Sequence, residues 1–139
     1  MPADAVDVAI KARLHASWTI SPVVGGLDGV LPETITEPPQ GYDAFLVVQY
    51  PVVNGEKPVL HGKFFEDGTA RLVLNVKREI GQTQSVAWAN TLAGLFREYR
   101  PGSGFETFVP SGPIVNDAND DANWVEYSVI VPYRYQFSG

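Results

Sequence analysis

Cysteine is absent from this 139-residue chain. Its absence excludes a disulfide framework, a thiolate metal site and a cysteine nucleophile. Histidine is scarce: only His15 and His61 occur, far apart in the chain. Neither a zinc set nor a Ser-His relay has an obvious set of parts. No phosphate-cradling G-x-x-x-x-G-K-[ST] or G-x-G-x-x-G stretch occurs, and Gly102-Ser103-Gly104 reads as a short linker. No apolar run approaches the ~20 residues that span a bilayer. The opening MPADAVDVAI lacks a basic segment followed by an apolar one, so no secretory signal is expected and the protein is expected to be soluble. Net charge is −6, which argues against a protein that grips phosphates through Lys and Arg. DNA passing nearby without being held stays compatible with it.

What is present is an ordinary globular composition, 45% hydrophobic. The length predicts one domain over residues 1–139. Val6, Ile10, Leu14 and Trp18 recur at i+4, predicting a helix over 4–18 with Asp4, Asp7, Lys11 and His15 outward. Residues 21–42 are rich in glycine and proline and read as a long connection with an extended piece at 33–36. AFLVVQY (44–50) is apolar on both faces and is expected to be a central strand. Asn54-Gly55 signals a tight turn, 59–65 a strand, and Glu66-Asp67-Gly68 a second turn. TARLVLNV (69–76) alternates, with Ala70, Leu72, Leu74 and Val76 inward.

A second helix is expected within 80–99, because Trp88, Leu92, Leu95, Phe96 and Tyr99 share one face. Thr83 or Ser85 would cap it and Pro101-Gly102 would stop it. FETFV (105–109) reads as a strand and 110–123 as a loop. The closing run WVEYSVIVPYRYQF (124–137) places Val125, Tyr127, Val129, Val131, Tyr133, Tyr135 and Phe137 on one face. Such a strand would span about 46 Å, against a domain diameter of about 37 Å. A bend or break is therefore expected at Pro132, which lacks a ladder donor. Tyr133, Tyr135 and Phe137 would then fold over the sheet's end or reach a neighbouring subunit, with the neighbour favoured. The predicted class is α+β: a single, mainly antiparallel sheet packed by two amphipathic helices.

Two clusters invite a chemical reading. Asp117, Asn119, Asp121 and Asn123 alternate like the start of an EF-hand loop. Ala122 stands at its turn glycine and Ser128 at its bidentate glutamate, so the run reads instead as a solvated turn. Carboxylate pairs such as Glu66-Asp67 and Asp120-Asp121 sit in expected turns, where burial would not raise a pKa. The tryptophans could form a carbohydrate platform, but Trp18 and Trp88 fall on helix faces expected to be core. The residues supply no catalytic, cofactor or metal set, and an enzyme is not expected.

The order of parts carries a resemblance. AIKARLHASW closes the first helix, ANTLAGLFREY the second, FETFVPS follows a glycine linker, and WVEYSVIVPYRYQF ends the chain. Over nearly its full length this resembles the phage tail terminator-like family, small virion proteins similar in plan to the lambda-type terminator. The resemblance implies an α+β subunit of a hexameric ring at the head-proximal end of a long non-contractile tail tube. Such a ring ends tube polymerisation and joins the tail to the head connector, needs no cofactor, and lets DNA pass through it. Its partners would be further copies of itself, the tail tube protein and the connector protein, with no membrane. It would be made in the host cytoplasm and reside in the virion. Under this reading Asn54, Gly55, Glu66, Asp67, Asp117, Asp120, Asp121, Tyr133, Tyr135 and Phe137 are the candidate subunit and tube contacts. The alternatives are another head-tail joining or tail-tube protein and, from a different class, a monomeric ligand-binding module.

Overall fold

The computed structural model describes residues 4–27, 29–33, 39, 41–58, 63–102, 104–116 and 124–138, with 54–58, 63, 64, 137 and 138 described by backbone alone. Among these are two α-helices, α1 (Asp4–Ser17) and α2 (Gln82–Leu95), and a five-stranded antiparallel sheet. The strands are β1 (Ala44–Pro58), β2 (Lys63–Lys77), β3 (Phe105–Thr107), β4 (Ser111–Asn116) and β5 (Trp124–Ser138). The order is β1-β2-β5-β3, and β4 lies on the same side of β5 as β3, further along it. The α+β reading therefore holds.

Periodicity explains the packing. In α1 the i+4 series Val6, Ile10 and Leu14 is buried, and Trp18 follows it into the core. The Trp18 indole N–H donates to Ser21 Oγ at 2.8 Å, so burying the ring strands no polar atom. Opposite the helices, Ala70, Leu72, Leu74 and Val76 of β2 meet Val125, Val129 and Val131 of β5 in one cluster. α2 adds Ala89, Leu92 and Ala93, and Phe96 just beyond it completes the set. Trp88, Leu95 and Tyr99 are only partly buried at its margin.

The chain departs from the sequence expectations at five places. α2 ends at Leu95, well before Pro101, because the next turn is held by β3: Thr107 N–H donates to the Tyr99 carbonyl at 2.9 Å, and the Thr107 hydroxyl to that of Phe96. Gly81, not Thr83 or Ser85, stands at its N-terminus, and buried Ser85 donates back to the Gly81 carbonyl at 2.8 Å.

β1 is an outer strand and not a central one. Its second apolar face is explained on the side of the sheet away from the helices, where Phe45 packs edge-on against Trp124 with ring centroids 5.1 Å apart. Part of its outer ladder is taken by the connection, as Leu46 receives from Val24 N–H at 2.9 Å and donates to the Pro22 carbonyl at 3.0 Å.

Neither expected turn is a turn. Asn54 and Gly55 lie inside β1, and Glu66, Asp67 and Gly68 inside β2, with Asn54 directly opposite Asp67. β1 ends at Pro58 and β2 begins at Lys63, so residues 63–65 of the strand expected over 59–65 belong to β2, and residues 59–62, with His61, lie outside the described residues. Register shifts between Gln49 and Val52 and between Asn54 and Lys57 absorb the turn-forming residues as bulges. Gly68 answers to close approach: a Cβ there would lie 2.4 Å from the Val52 carbonyl oxygen and 2.8 Å from the Tyr133 hydroxyl.

The expected loop over 110–123 contains β4, with Gly112 (φ 107°) and Pro113 at a register shift between Ser111 and Ile114. Residues 117–123, with Asp117, Asp120 and Asp121, lie outside the described residues, as does most of the 33–36 piece.

β5 does not bend or break at Pro132. It pairs with β2 from Lys77↔Trp124 to Lys63↔Ser138 without a register shift. The proline is tolerated because its polar groups face the other neighbour. The Pro132 carbonyl accepts from Phe108 N–H at 3.0 Å, so its missing N–H points to the stretch between the pairing with β4, whose last pair is Ser111↔Ile130, and that with β3, whose first is Thr107↔Tyr133. Length is no obstacle, since β2, also 15 residues, runs beside it and the 15-residue β1 runs beside β2, each spanning about 50 Å.

Candidate functional site

The distal half of the sheet brings together side chains that the sequence scattered. Tyr133 points into the subunit's own core, 2% exposed, and its hydroxyl donates to Glu66 Oε2 at 2.8 Å. Tyr50 on β1 donates to Asp7 Oδ1 of α1 at 2.5 Å. Burial, then the bonded carboxylate, pushes both phenols well above the usual tyrosine pKa, so both stay neutral donors. Asp7 also meets Lys11 Nζ at 2.9 Å, one turn along the helix. On the sheet's other face Arg134 pairs with Asp67 at 2.9 Å and lies 5.0 Å over the Phe65 ring.

Of the candidate contact residues, Glu66 and Tyr133 are therefore buried within the subunit, and Asp67 is engaged by Arg134. The aromatic stripe expected to reach a neighbour begins inside the core, because Tyr133 meets Phe105 of β3 with centroids 6.0 Å apart. Tyr135 is half-buried opposite Phe105, and Phe137 pairs with Phe64 along the ladder. Asn54 and Gly55 run along the outer strand.

Two clefts open at the sides of the sheet. One, of about 350 Å³, lies between α1 and the outer edge of β1 and is lined by Asp4, Asp7, Lys11, Glu33, Val48 and Tyr50. The other, of about 310 Å³, lies beside β3, where Arg100 pairs with Glu106 at 3.2 Å near Phe105 and Arg134. Among the described residues every buried side-chain polar atom has a partner, and no group of three His, Cys, Asp or Glu is placed to hold a metal ion. His15 is exposed on α1.

The most distinctive surface feature was not among the residues singled out from sequence. Phe108 and Val109 follow β3, Ile114 and Val115 lie on β4, and all four are exposed, Val109 and Ile114 by 55% and 56%. All four lie on the outer margin of the sheet beside β5, with Ile114 opposite Ser128 and Val115 opposite Tyr127 and therefore on opposite faces of β4. The available signal was the pair of short apolar doublets flanking PSGP, masked by the turn-forming residues between them. No family model matches this chain, and no curated protein matches it either.

Proposed function

We propose that this chain is a structural virion subunit, a tail terminator that assembles as a hexameric ring on the end of a long non-contractile phage tail tube. There it ends tube polymerisation and presents a face to the head connector, with DNA passing through the ring. The observation that carries the reading is the exposed edge of Phe108, Val109, Ile114 and Val115. Clustered exposed apolar side chains mark interaction surfaces. The α+β plan supports it, being what the resemblance to tail terminator-like proteins implies. No step in this role requires an active site or cofactor.

The test is a phage lacking the gene. Abnormally long tails, or tails unable to join heads, are expected by electron microscopy, and normal virions would reject the reading. The α1–β1 cleft favours a rival, a monomeric ligand-binding module. Light scattering separates the two, since a ring gives multiples of the 15.2 kDa chain when assembled.

A further inference from the structure

We propose that the cleft between α1 and the outer edge of β1 is a docking site for an extended, basic segment of another protein. The segment adds a short strand to β1 at Val48 and sets a Lys or Arg side chain against Asp4 and Glu33. Such docking does not require the chain to form a ring.

The ladder of β1 is interrupted on its outer side. Lys77 N–H donates to the Asp43 carbonyl at 2.9 Å, so the odd residues up to the register shift after Gln49 turn their backbone groups toward β2. The even residues turn theirs outward. At Leu46 both groups are used, the N–H by the Pro22 carbonyl and the carbonyl by Val24 N–H. The next outward residue is Val48. Among the described residues, its outward N–H and carbonyl make no hydrogen bond. The segment that pairs with Leu46 turns away before reaching it. Gly25, at φ 67°, leads the chain off the edge, and Gly26 N–H closes the turn on the Val23 carbonyl at 3.0 Å.

The open stretch is short and bounded. Pro51 and the register shift between Gln49 and Val52 end the regular edge. α1 stands beside it, tied by the Tyr50 hydroxyl donating to Asp7 Oδ1 at 2.5 Å. About 350 Å³ is left between helix and strand, with Val24 and Val48 among the lining residues. An open strand edge beside a helix takes an extended peptide, with main-chain hydrogen bonds giving affinity and side-chain contacts giving specificity.

Charge sets the class of segment. Asp4, Asp7 and Glu33 line the cleft with one cation, Lys11. Lys11 Nζ lies 2.9 Å from Asp7, and Tyr50 binds the same carboxylate, so Asp7 is satisfied within the chain. Asp4 and Glu33 are exposed and make no ion pair among the described residues. The glycine turn also holds Glu33 close: a Cβ at Gly25 would lie 3.2 Å from Glu33 Cα. Every second side chain of an added strand points to the helix side of the sheet. A Lys or Arg there meets the two carboxylates, and an acidic residue is repelled. A chain of net charge −6 is itself a poor source of such a segment, which points to another protein.

The test uses the full chain and two capped synthetic pentapeptides, VKVKV and VEVEV, with backbone amides followed by NMR. The basic peptide is expected to shift the Val48 amide, to slow its hydrogen exchange at least tenfold, and to bind at least tenfold more tightly than the acidic one. Asp4→Lys with Glu33→Lys should reverse that order while circular dichroism shows the fold unchanged. Binding that leaves the Val48 amide unmoved would overturn strand addition, and so would no binding of the basic peptide at millimolar concentration. Equal binding of both peptides would overturn the basic class. Protection of Val48 that appears on self-association, with no peptide present, assigns the edge to a second copy and overturns the foreign partner. Ring formation is read separately by light scattering, so failure here leaves the ring reading standing.

Discussion

From Trp124 to Val131, β5 lies beneath the helices and buries Val125, Tyr127, Val129 and Val131 in the hydrophobic cluster, its polar bonds (Arg71 to Ser128, Asn116 to Glu126) lying on the other face. From Tyr133 to Gln136 the same alternation continues, but specific polar bonds share the work: Tyr133 to Glu66 across the ladder, and Arg134 to Asp67 on the other face. The first half is stabilised by area removed from water, which is indifferent to detail. The second depends on partners in place, since a buried carboxylate or hydroxyl without one costs about 1–3 kcal/mol. One strand thus carries two kinds of stability.

The sharpest way to break the comparison is to end the chain after Pro132. This removes Tyr133 from the core, the ladder partner of β3 and the distal pairing with β2. The truncated chain is expected to lose its cooperative unfolding transition in a calorimetric scan. A chain that still melts cooperatively would show the distal half to be dispensable.

Next in size is Leu74→Ala, a fully buried β2 position beneath the helices. Removing its side chain should cost about 2–5 kcal/mol by denaturant titration. Gly68→Ala attacks the distal half by crowding: the added methyl meets a fixed strand carbonyl and the Tyr133 ring, costing about 1–3 kcal/mol by the same titration.

Tyr133→Phe keeps the ring and removes the donor to Glu66. A loss of about 1–3 kcal/mol is expected, more than half of which Glu66→Gln should fail to recover if the hydroxyl itself matters. The pH dependence is a finer test. Both phenols have folded pKa values raised above the ordinary 10.0, so their stabilisation is complete below that pH and is lost as pH rises past it. The denaturation midpoint should therefore hold up to about pH 10 and fall above it, and Tyr50→Phe with Tyr133→Phe should flatten that fall.

The smallest effect belongs to Arg134→Ala. Its ion pair with Asp67 is largely exposed, with side chains 44% and 26% accessible, so about 0–1 kcal/mol is expected. A larger loss would point to its packing over Phe65.

The parts legible in the sequence were those set by local periodicity. The i+4 series of α1 and the alternation of 69–76 and 124–131 name their buried residues because one face must leave water wherever the element lies. What misled were the turn-forming residues. Asn54-Gly55 and Gly112-Pro113 became bulges on outer strands, and Gly68 a point of close approach. Asn, Gly and Pro permit turns, but the neighbouring ladder decides whether one is made. The exposed margin of Phe108, Val109, Ile114 and Val115 was hidden for the same reason, since nothing local marks which apolar residue will find no cover.

By itself, then, the sequence determined the α+β class and the inward faces of α1, of 69–76 and of 124–131. Of the face expected for α2 only Leu92 and the following Phe96 are fully buried, because spacing along one segment marks an apolar face but not how deeply a neighbour covers it. Only the tertiary structure decided the rest. It moved β1 to the margin, kept β5 whole through Pro132, and buried Tyr133 with Glu66. Each of these depends on which segment lies alongside another, and pairing across distant residues is a property of the assembled sheet, not of any stretch within it.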